Sequence, residues 1–433
     1  MKRALAICLA GLFSSGAMAA DLMQVYQDAL ANDAKFAAAR AQLEAGQESV
    51  VQGRAGLLPQ LGLSADAAWN DAEIKSNLGT SSGDYDSRGY GVQLTQPLFR
   101  WQNWVQFKQG ELRTALAGAQ FGVQQQDLVL RVAEAYFNVL NAQDVVDAVT
   151  QLRKAAGEQR ELARTSFEVG TVTITDVHEA QSRFDLASAQ EIAAQNQLEV
   201  ARQALAQIIG KQPEALAGLR EGVTLSRPQP DNIADWVSAA ESGSLGVQAQ
   251  QLVREIAAQE VERARAGHLP TVDLVASHGV RHKPQLATDR SEATLVGVQL
   301  NLPLYAGGRV SSVTREAAAL RFKADADLED ARRSAALAAR QSWLGVTSGM
   351  AQIKALEAAR VSSSSALEAN KLGYEVGVRI NIDVLNAQTQ LADTLQQLSR
   401  ARYDTLLAQL RLKAAAGTLG EDDVRAINAL LVP

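Results

Sequence analysis

Cysteine is almost absent: the one in the chain is Cys8, among the first twenty residues. Lys2 and Arg3 precede the apolar run around it, and Ala17-Met18-Ala19 follows as a small-x-small cleavage signal. Residues 1–19 therefore predict a secretory signal peptide. Cys8 does not suit a lipid anchor, because too little apolar sequence precedes it and Ile7 is too bulky for the position before it. The exported chain is expected to carry no thiol, no disulfide and no soft-metal site. After residue 20 no stretch reaches the ~18 apolar residues of a membrane-spanning helix. Aromatic residues make up only 5% of the chain, while Ala and Gln are plentiful, a composition suited to long helices. Basic charge is also scarce. Without Lys2 and Arg3 the count is 40 basic against 48 acidic residues, about −8 net, which argues against a nucleic-acid partner. No P-loop, G-x-S-x-G or H-E-x-x-H is present. Of the four histidines only His278 and His282 lie close together, and no acid or cysteine cluster joins them, so neither catalysis nor a metal or other cofactor is expected.

What is present is a repeat. "FEVGTVTITDV" at 167–177 returns as "YEVGVRINIDV" at 374–384, 207 residues on. "GRAGLLPQLGLSA" (53–65) is echoed by "ARAGHLPTVDLVAS" (264–277), and "GVQLTQPLF" (91–99) by "GVQLNLPLY" (297–305). The offset drifts from 211 to 206 around the matching strands, which puts the length differences in loops. The chain reads as two copies of one unit, 20–231 and 232–433, the first ending in a proline-containing joint at 211–231 and the second in a C-terminal joint.

Within each copy the apolar period changes. Val92, Leu94 and Leu98 alternate with polar neighbours, as do Val298, Leu300, Leu302 and Leu304. That period of two predicts one β-hairpin per copy, about 59–99 and 270–305, with polar loops at 70–88 and about 282–292. The remainder predicts helix. Trp104–Val169 and Arg309–Val376 run without proline, on the order of 100 Å each at 1.5 Å per residue. The return helices place Val177, Ala180, Phe184, Ala187, Ala194, Leu198, Ala201, Leu205 and Ile208 on a coiled-coil ladder that only Glu191 interrupts. In copy two Val384, Leu391, Leu398, Ala401 and Leu412 continue likewise, with Thr394 and Thr405 among them. Four amphipathic strands cannot close a membrane barrel, which takes about eight, whereas three chains would supply twelve. The expected fold is mainly α with a membrane β-barrel completed by oligomerisation.

These features in this order resemble the TolC family of trimeric outer-membrane efflux and secretion channels. "DLMQVYQDALAND", "LLPQLGLSA", "LTQPLF", "AYFNVLNAQDVV", "GHLPTVDL", "YEVGVRINIDVL" and "ARYDTLLAQLRLKAAAGTL" carry the resemblance across the whole exported chain. It implies a homotrimer with a twelve-stranded barrel in outer-membrane lipid and a long helical tunnel through the periplasm. It also implies passive export for drug efflux or type I protein secretion. An inner-membrane pump of the RND, MFS or ABC type would drive transport through a periplasmic adaptor (a membrane fusion protein).

By the same resemblance Val169, Gly170, Thr171 and Val376, Gly377, Val378 mark the periplasmic tips that an adaptor would meet. Thr175 and Asp176 on one hairpin, with Tyr374 and Arg379 on the other, match a gate latch, and an Arg379–Asp176 ion pair is expected. Asp176 and Asp383 also suit helix starts, where the dipole favours a carboxylate. Asp383 matches an acidic entrance ring, but the second acid of that pattern is replaced here by Asn386. One ring in place of two predicts weaker cation selectivity and weaker cation block. Phe99, Trp101, Trp104 and Tyr305 cluster where strands become helices and match an aromatic girdle at the lipid boundary. Pro59, Pro97, Pro270 and Pro303 sit at the same junctions, ending ladders. The competing reading is a soluble periplasmic coiled-coil adaptor or scaffold, which would share the leader and helices but has no use for duplicated hairpins with apolar faces.

Overall fold

With no proline to interrupt it, the segment after the first hairpin forms one helix, α3 (Trp101–Glu168), and the segment after the second forms another, α7 (Arg309–Glu375). These come from a computed structural model that describes residues 19–76, 79–220, 222–286 and 288–432. The expected leader, Cys8 included, lies outside the described residues apart from Ala19. The other elements are α1 (Leu22–Asn32), α2 (Ala34–Ala55), β1 (Gln60–Ser76), β2 (Gly79–Phe99), α4 (Ile174–Ile209), α5 (Ile233–Gly243), α6 (Leu245–Arg265), β3 (Thr271–Gln285), β4 (Thr288–Asn301), α8 (Asn381–Ala415) and α9 (Glu421–Asn428). The order helix, helix, strand, strand, long helix, return helix thus occurs twice. Two compact units cut across that order. One draws on the start of the chain to Ala38, Val123–Ser244 and Ser334 onward; the other is Ala39–Gly122 with Leu245–Arg333.

The second unit holds one antiparallel sheet in the order β1-β2-β3-β4, so the two hairpins pair through β2 and β3. Residues 70–88 and 282–292, expected as loops, are mostly strand. The β1–β2 ladder runs from Gln60↔Thr95 to Ser76↔Gly79, and the β3–β4 ladder reaches Gln285↔Thr288. Beyond Ala67 and His282 both faces turn polar and the alternation fades, but backbone hydrogen bonds hold a ladder without apolar side chains. Pro97 lies at a register shift in β2, where a missing N–H is tolerated. At the same end Arg100 donates two hydrogen bonds, 2.7 and 2.6 Å, to the buried Asp273 carboxylate of β3. That fork fixes the turn from β2 into α3.

The first unit is built on small residues. Ala180, Ala187, Ala194, Leu198, Ala201 and Leu205 of α4 are buried as the ladder requires, with Ile209 buried at its end. Glu191, the one break, is met from α3 by the Thr150 hydroxyl at 2.8 Å and by Arg153 at 2.6 Å. On α8 the ladder hydroxyls bond within their own helix, Thr394 to Gln390 O and Thr405 to Ala401 O. Tyr136 of α3 donates to Ala217 O at 2.7 Å, tying the 211–231 joint to the helix, and the joint bridges the C-terminal segment at Leu219↔Leu431. Burial raises the Tyr136 hydroxyl above its ordinary pKa, so it remains a donor. Asp33, before α2, caps Phe36 and is held below the usual carboxylate range by the Arg131 guanidinium.

Candidate functional site: the two helical tips

α3 and α7 end in the same way because each meets a glycine. Gly170 (φ 80°) and Gly377 (φ 78°) take the left-handed conformation that a side chain would strain. Gly170 N–H donates to Phe167 O and Thr171 N–H to Ser166 O; Gly377 N–H donates to Tyr374 O and Val378 N–H to Gly373 O. This paired pattern is a Schellman ending. Val169, Val376 and Val378 stand exposed beside the glycines at 71%, 65% and 76%. Thr171 closes its own turn through its hydroxyl, 2.9 Å from Ser166 O.

The return helices start differently. Thr173 caps α4: its hydroxyl accepts from Asp176 N–H, and the Asp176 carboxylate accepts from Thr173 N–H at 2.8 Å. Asp176 is thus a helix-start carboxylate in a reciprocal capping box. Thr175 next to it is exposed and makes no side-chain hydrogen bond among the described residues. The cap of α8 is Ile380, which offers no side-chain acceptor. Asp383 lies in the first turn, and Arg379 approaches it at 3.6 Å. Within the chain, then, Arg379 pairs with Asp383 and Asp176 is held by Thr173. Tyr374 is half-buried, and its hydroxyl has no partner among the described residues.

The two tips adjoin. Leu385 of α8 is buried with Ala156, Ala163 and Ala180, and Val177, Phe184 and Ile382 pack around them. Across the same seam Arg183 of α4 donates to Asn386 Oδ1 at 2.9 Å. Besides the cap Thr173, four residues that bear on the site escaped the sequence reading. Arg183 is one, because nothing in the pattern links it to a position 203 residues away. Gly373 is another: a Cβ there would lie 2.6 Å from Arg379 Cγ, so the missing side chain makes room for that arginine to fold back. Asn381 and Gln388 are the others, 3% and 6% exposed on the inner stripe of α8. Neither polar atom of the Asn381 side chain nor Gln388 Oε1 meets a hydrogen-bond partner among the described residues. Both lie one residue off the predicted ladder, so no sequence signal pointed to them.

The girdle candidates lie in the other unit. Phe99 ends β2, Trp101 and Trp104 open α3, and Tyr305 follows β4; all four are exposed, Tyr305 most at 88%. Trp104 leans on Phe107, with centroids 5.9 Å apart.

Comparison with known proteins fits this geometry. The chain is 35% identical to the outer membrane protein TolC of Escherichia coli (strain K12), over all of this chain and 90% of that protein. It is 34% identical to the alkaline protease secretion protein AprF of Pseudomonas aeruginosa, covering 97% of this chain and 89% of that one. Its fold matches the CmeC outer membrane channel of Campylobacter jejuni with a TM-score of 0.82 at 16% identity, over 94% and 89% of the two chains. For the outer membrane protein VceC of Vibrio cholerae the TM-score is 0.78 at 21% identity, over 92% and 96%. The profile of one family, described as outer membrane efflux protein, matches residues 25–211 and 236–418, and the chain belongs to that family.

Proposed function

We infer that the chain is one third of an outer-membrane channel, a passive exit duct for efflux and type I secretion. The observation that carries this is the sheet. Its outward face exposes Leu61, Leu63, Val296, Val298 and Leu300, each more than 60% exposed, and the outer edges of β1 and β4 meet no further strand among the described residues. An apolar sheet with open edges is not viable in lipid. Three copies close twelve strands and place the helices as a tunnel wall in the periplasm. The recurring element order and the two-part family match support reading the chain as two repeats, 20–231 and 232–433.

The tips are the gate and the docking end. In the trimer Arg379 links to Asp176 and Thr175, and the Tyr374 hydroxyl finds its acceptor there. Asp383 forms a ring at the entrance, with Asn386 one turn further on. Such links are worth only ~0–1 kcal/mol each, so a partner's binding energy can open them. A periplasmic adaptor meets the valines and glycines at 169–171 and 376–378, and an RND, MFS or ABC pump supplies the energy. Phe99, Trp101, Trp104 and Tyr305 form the girdle at the inner lipid boundary. The relative named for alkaline protease secretion supports protein cargo beside drugs.

The test is single-channel conductance in planar bilayers, wild type against Arg379→Ser. A small, cation-selective conductance that rises several-fold in the variant is expected. A conductance indifferent to Arg379 would remove the latch and leave the channel. Protein that forms no channel and fractionates with the soluble periplasm would instead be a scaffold.

A further inference from the structure

The register of the sheet places three basic side chains in one row. Arg88 of β2 is paired with His282 of β3, and His282 with Arg290 of β4. Successive side chains on a strand alternate faces, so this row shares its face with every second residue along each strand. Toward the helices that face carries Tyr90, Val280 and Glu292, then Val92, His278 and Thr294, then Leu94, Ala276 and Val296. It ends with Phe99, Val272 and Leu300. On β1 Leu61, Leu63, Ala65 and Ala67 complete these rows. The opposite face is mostly polar or small, with Val275 and Leu295 as exceptions: it carries Ser64, Asp66, Gln93, Gly91 and Gly89, and Arg281 reaches over Gly89 to Asp66 at 3.0 Å. The basic row therefore lies on the face that meets lipid, at the end remote from the helices.

Its height is measurable along β4. Ten residues separate Leu300 from Arg290. At about 3.3 Å each and a tilt of about 40°, they span roughly 25 Å, the height of the apolar band of a membrane barrel. The girdle candidate Phe99 marks the lower edge of that band, and Tyr90, in the row next to Arg88, marks the upper. One step beyond the band stands the basic row, and beyond it on the same face come Asp86 with Trp69, then Asp71 with Asp84, then Glu73. The polar contacts of the row are few. Arg290 pairs with Glu292 at 2.9 Å, and Glu292 lies 3.9 Å from His278, whose Nδ1 meets the Thr294 hydroxyl. Arg88 makes no ion pair or hydrogen bond among the described residues, although it is exposed beside acids one and two rows away.

We propose that Arg88, His282 and Arg290 form a binding site for the phosphate of an anionic lipid in the outer leaflet, a reading that rests on the channel function above. A lipid phosphate lies directly above the acyl chains, which is the level of this row. A guanidinium fork matches phosphate oxygens, and two of them about two strand spacings apart can share one headgroup. The carboxylates further out repel a phosphate that rises above the row and so confine it there. A free phosphate has no acyl chains to hold it, and the chain as a whole is acidic, with a net charge of −6.

The purified full chain in neutral detergent, with a chelator present, is titrated with phosphatidic acid, phosphatidylcholine or inorganic phosphate while thermal unfolding is followed. Phosphatidic acid should raise the midpoint saturably, and phosphatidylcholine and inorganic phosphate should not. Arg88→Gln with Arg290→Gln should raise the half-saturating concentration at least tenfold, Arg88→Lys should raise it less, and Arg281→Gln on the opposite face should leave it unchanged. No shift with phosphatidic acid, an equal shift with inorganic phosphate, or an equal loss in Arg281→Gln would each overturn the site. The same preparations are tested for conductance. Channels that form without binding phosphatidic acid defeat this site alone, whereas failure to form channels at all defeats the membrane reading and the site with it.

Discussion

The two tips share a backbone and differ in what holds them. After Gly170 the return helix begins with Thr173 and a capping box; after Gly377 the corresponding cap is Ile380, with no side-chain bond. The first residue of α4 is Ile174, 48% exposed, while its counterpart in α8 is Asn381, 3% exposed with an unpartnered amide. Gln181 of α4 bonds Asp185 at 2.8 Å, while its counterpart Gln388 has Oε1 buried without a partner. A lost cap costs ~1 kcal/mol and a buried unpaired polar group ~1–3 kcal/mol. The first tip is locally complete. The second lacks a side-chain cap and buries polar atoms of two side chains without partners, and on the proposed gate Arg379 and its neighbours keep it in its packed position. The two turns are alike in backbone, and on the proposed gate only the second is held weakly enough to be released.

The largest test of this difference lies further along the second hairpin. Gly349 of α7 approaches α8 so closely that a Cβ would lie 2.2 Å from Thr405 Oγ1, and Thr405 is buried and bonded to Ala401 O. Ala142 occupies the corresponding place on α3 and already carries its Cβ, 6% exposed. Gly349→Ala should destabilise by about 1–3 kcal/mol through overpacking. Ala142→Gly should cost roughly 1–2 kcal/mol, the helix penalty plus one buried methyl, with no clash to relieve. Thermal loss of the helical circular dichroism signal reads both, and equal losses would mean that the two hairpins pack alike. The next effect is of opposite sign. Asn381→Leu removes both unpartnered polar atoms at nearly constant volume and should stabilise by about 1–2 kcal/mol while making opening rarer in bilayers. Ile174→Asn at the first tip should change stability by less than about 0.5 kcal/mol. A destabilised Asn381→Leu would show that the amide gains a partner in the trimer.

The sequence made the helices legible because their signals are long. Stretches of some 65 residues without proline and ladders of small residues leave little else to form. The hairpins were legible only where one face is apolar. Past Ala67 and His282 the alternation ends, so the strand continuations to Ser76 and Gln285 carried no sign in side-chain pattern. At the tips Gly170 and Gly377 were readable because only glycine suits their φ. Thr173 carried no sign of its capping role, since an N-cap cannot be told from neighbouring threonines until the helix start is fixed. Arg183 and Asn386 could not be joined at all, because the seam between α4 and α8 is set by tertiary packing rather than by any local rule.

Two smaller effects sharpen the contrast. Thr173→Ala breaks the capping box and should cost about 1 kcal/mol of stability with little change in conductance. A conductance rise like that of Arg379→Ser would mean that the first tip gates as well. The smallest effect concerns the entrance. Asn386 accepts from Arg183 at 2.9 Å, so Asn386→Asp places each new carboxylate against a guanidinium rather than in open solvent. Asn386→Asp alone should strengthen block by a multivalent cation less than about twofold, as expected of a pair worth only ~0–1 kcal/mol. Combined with Arg183→Gln, the carboxylate loses its partner and joins the field of Asp383, and block should strengthen several-fold further. Arg183→Gln alone removes a cation beside the ring and should act in the same direction more weakly. If the single Asn386→Asp already matches the double variant, Arg183 does not screen the entrance, and the second tip's electrostatics rest on Arg379 and Asp383 alone.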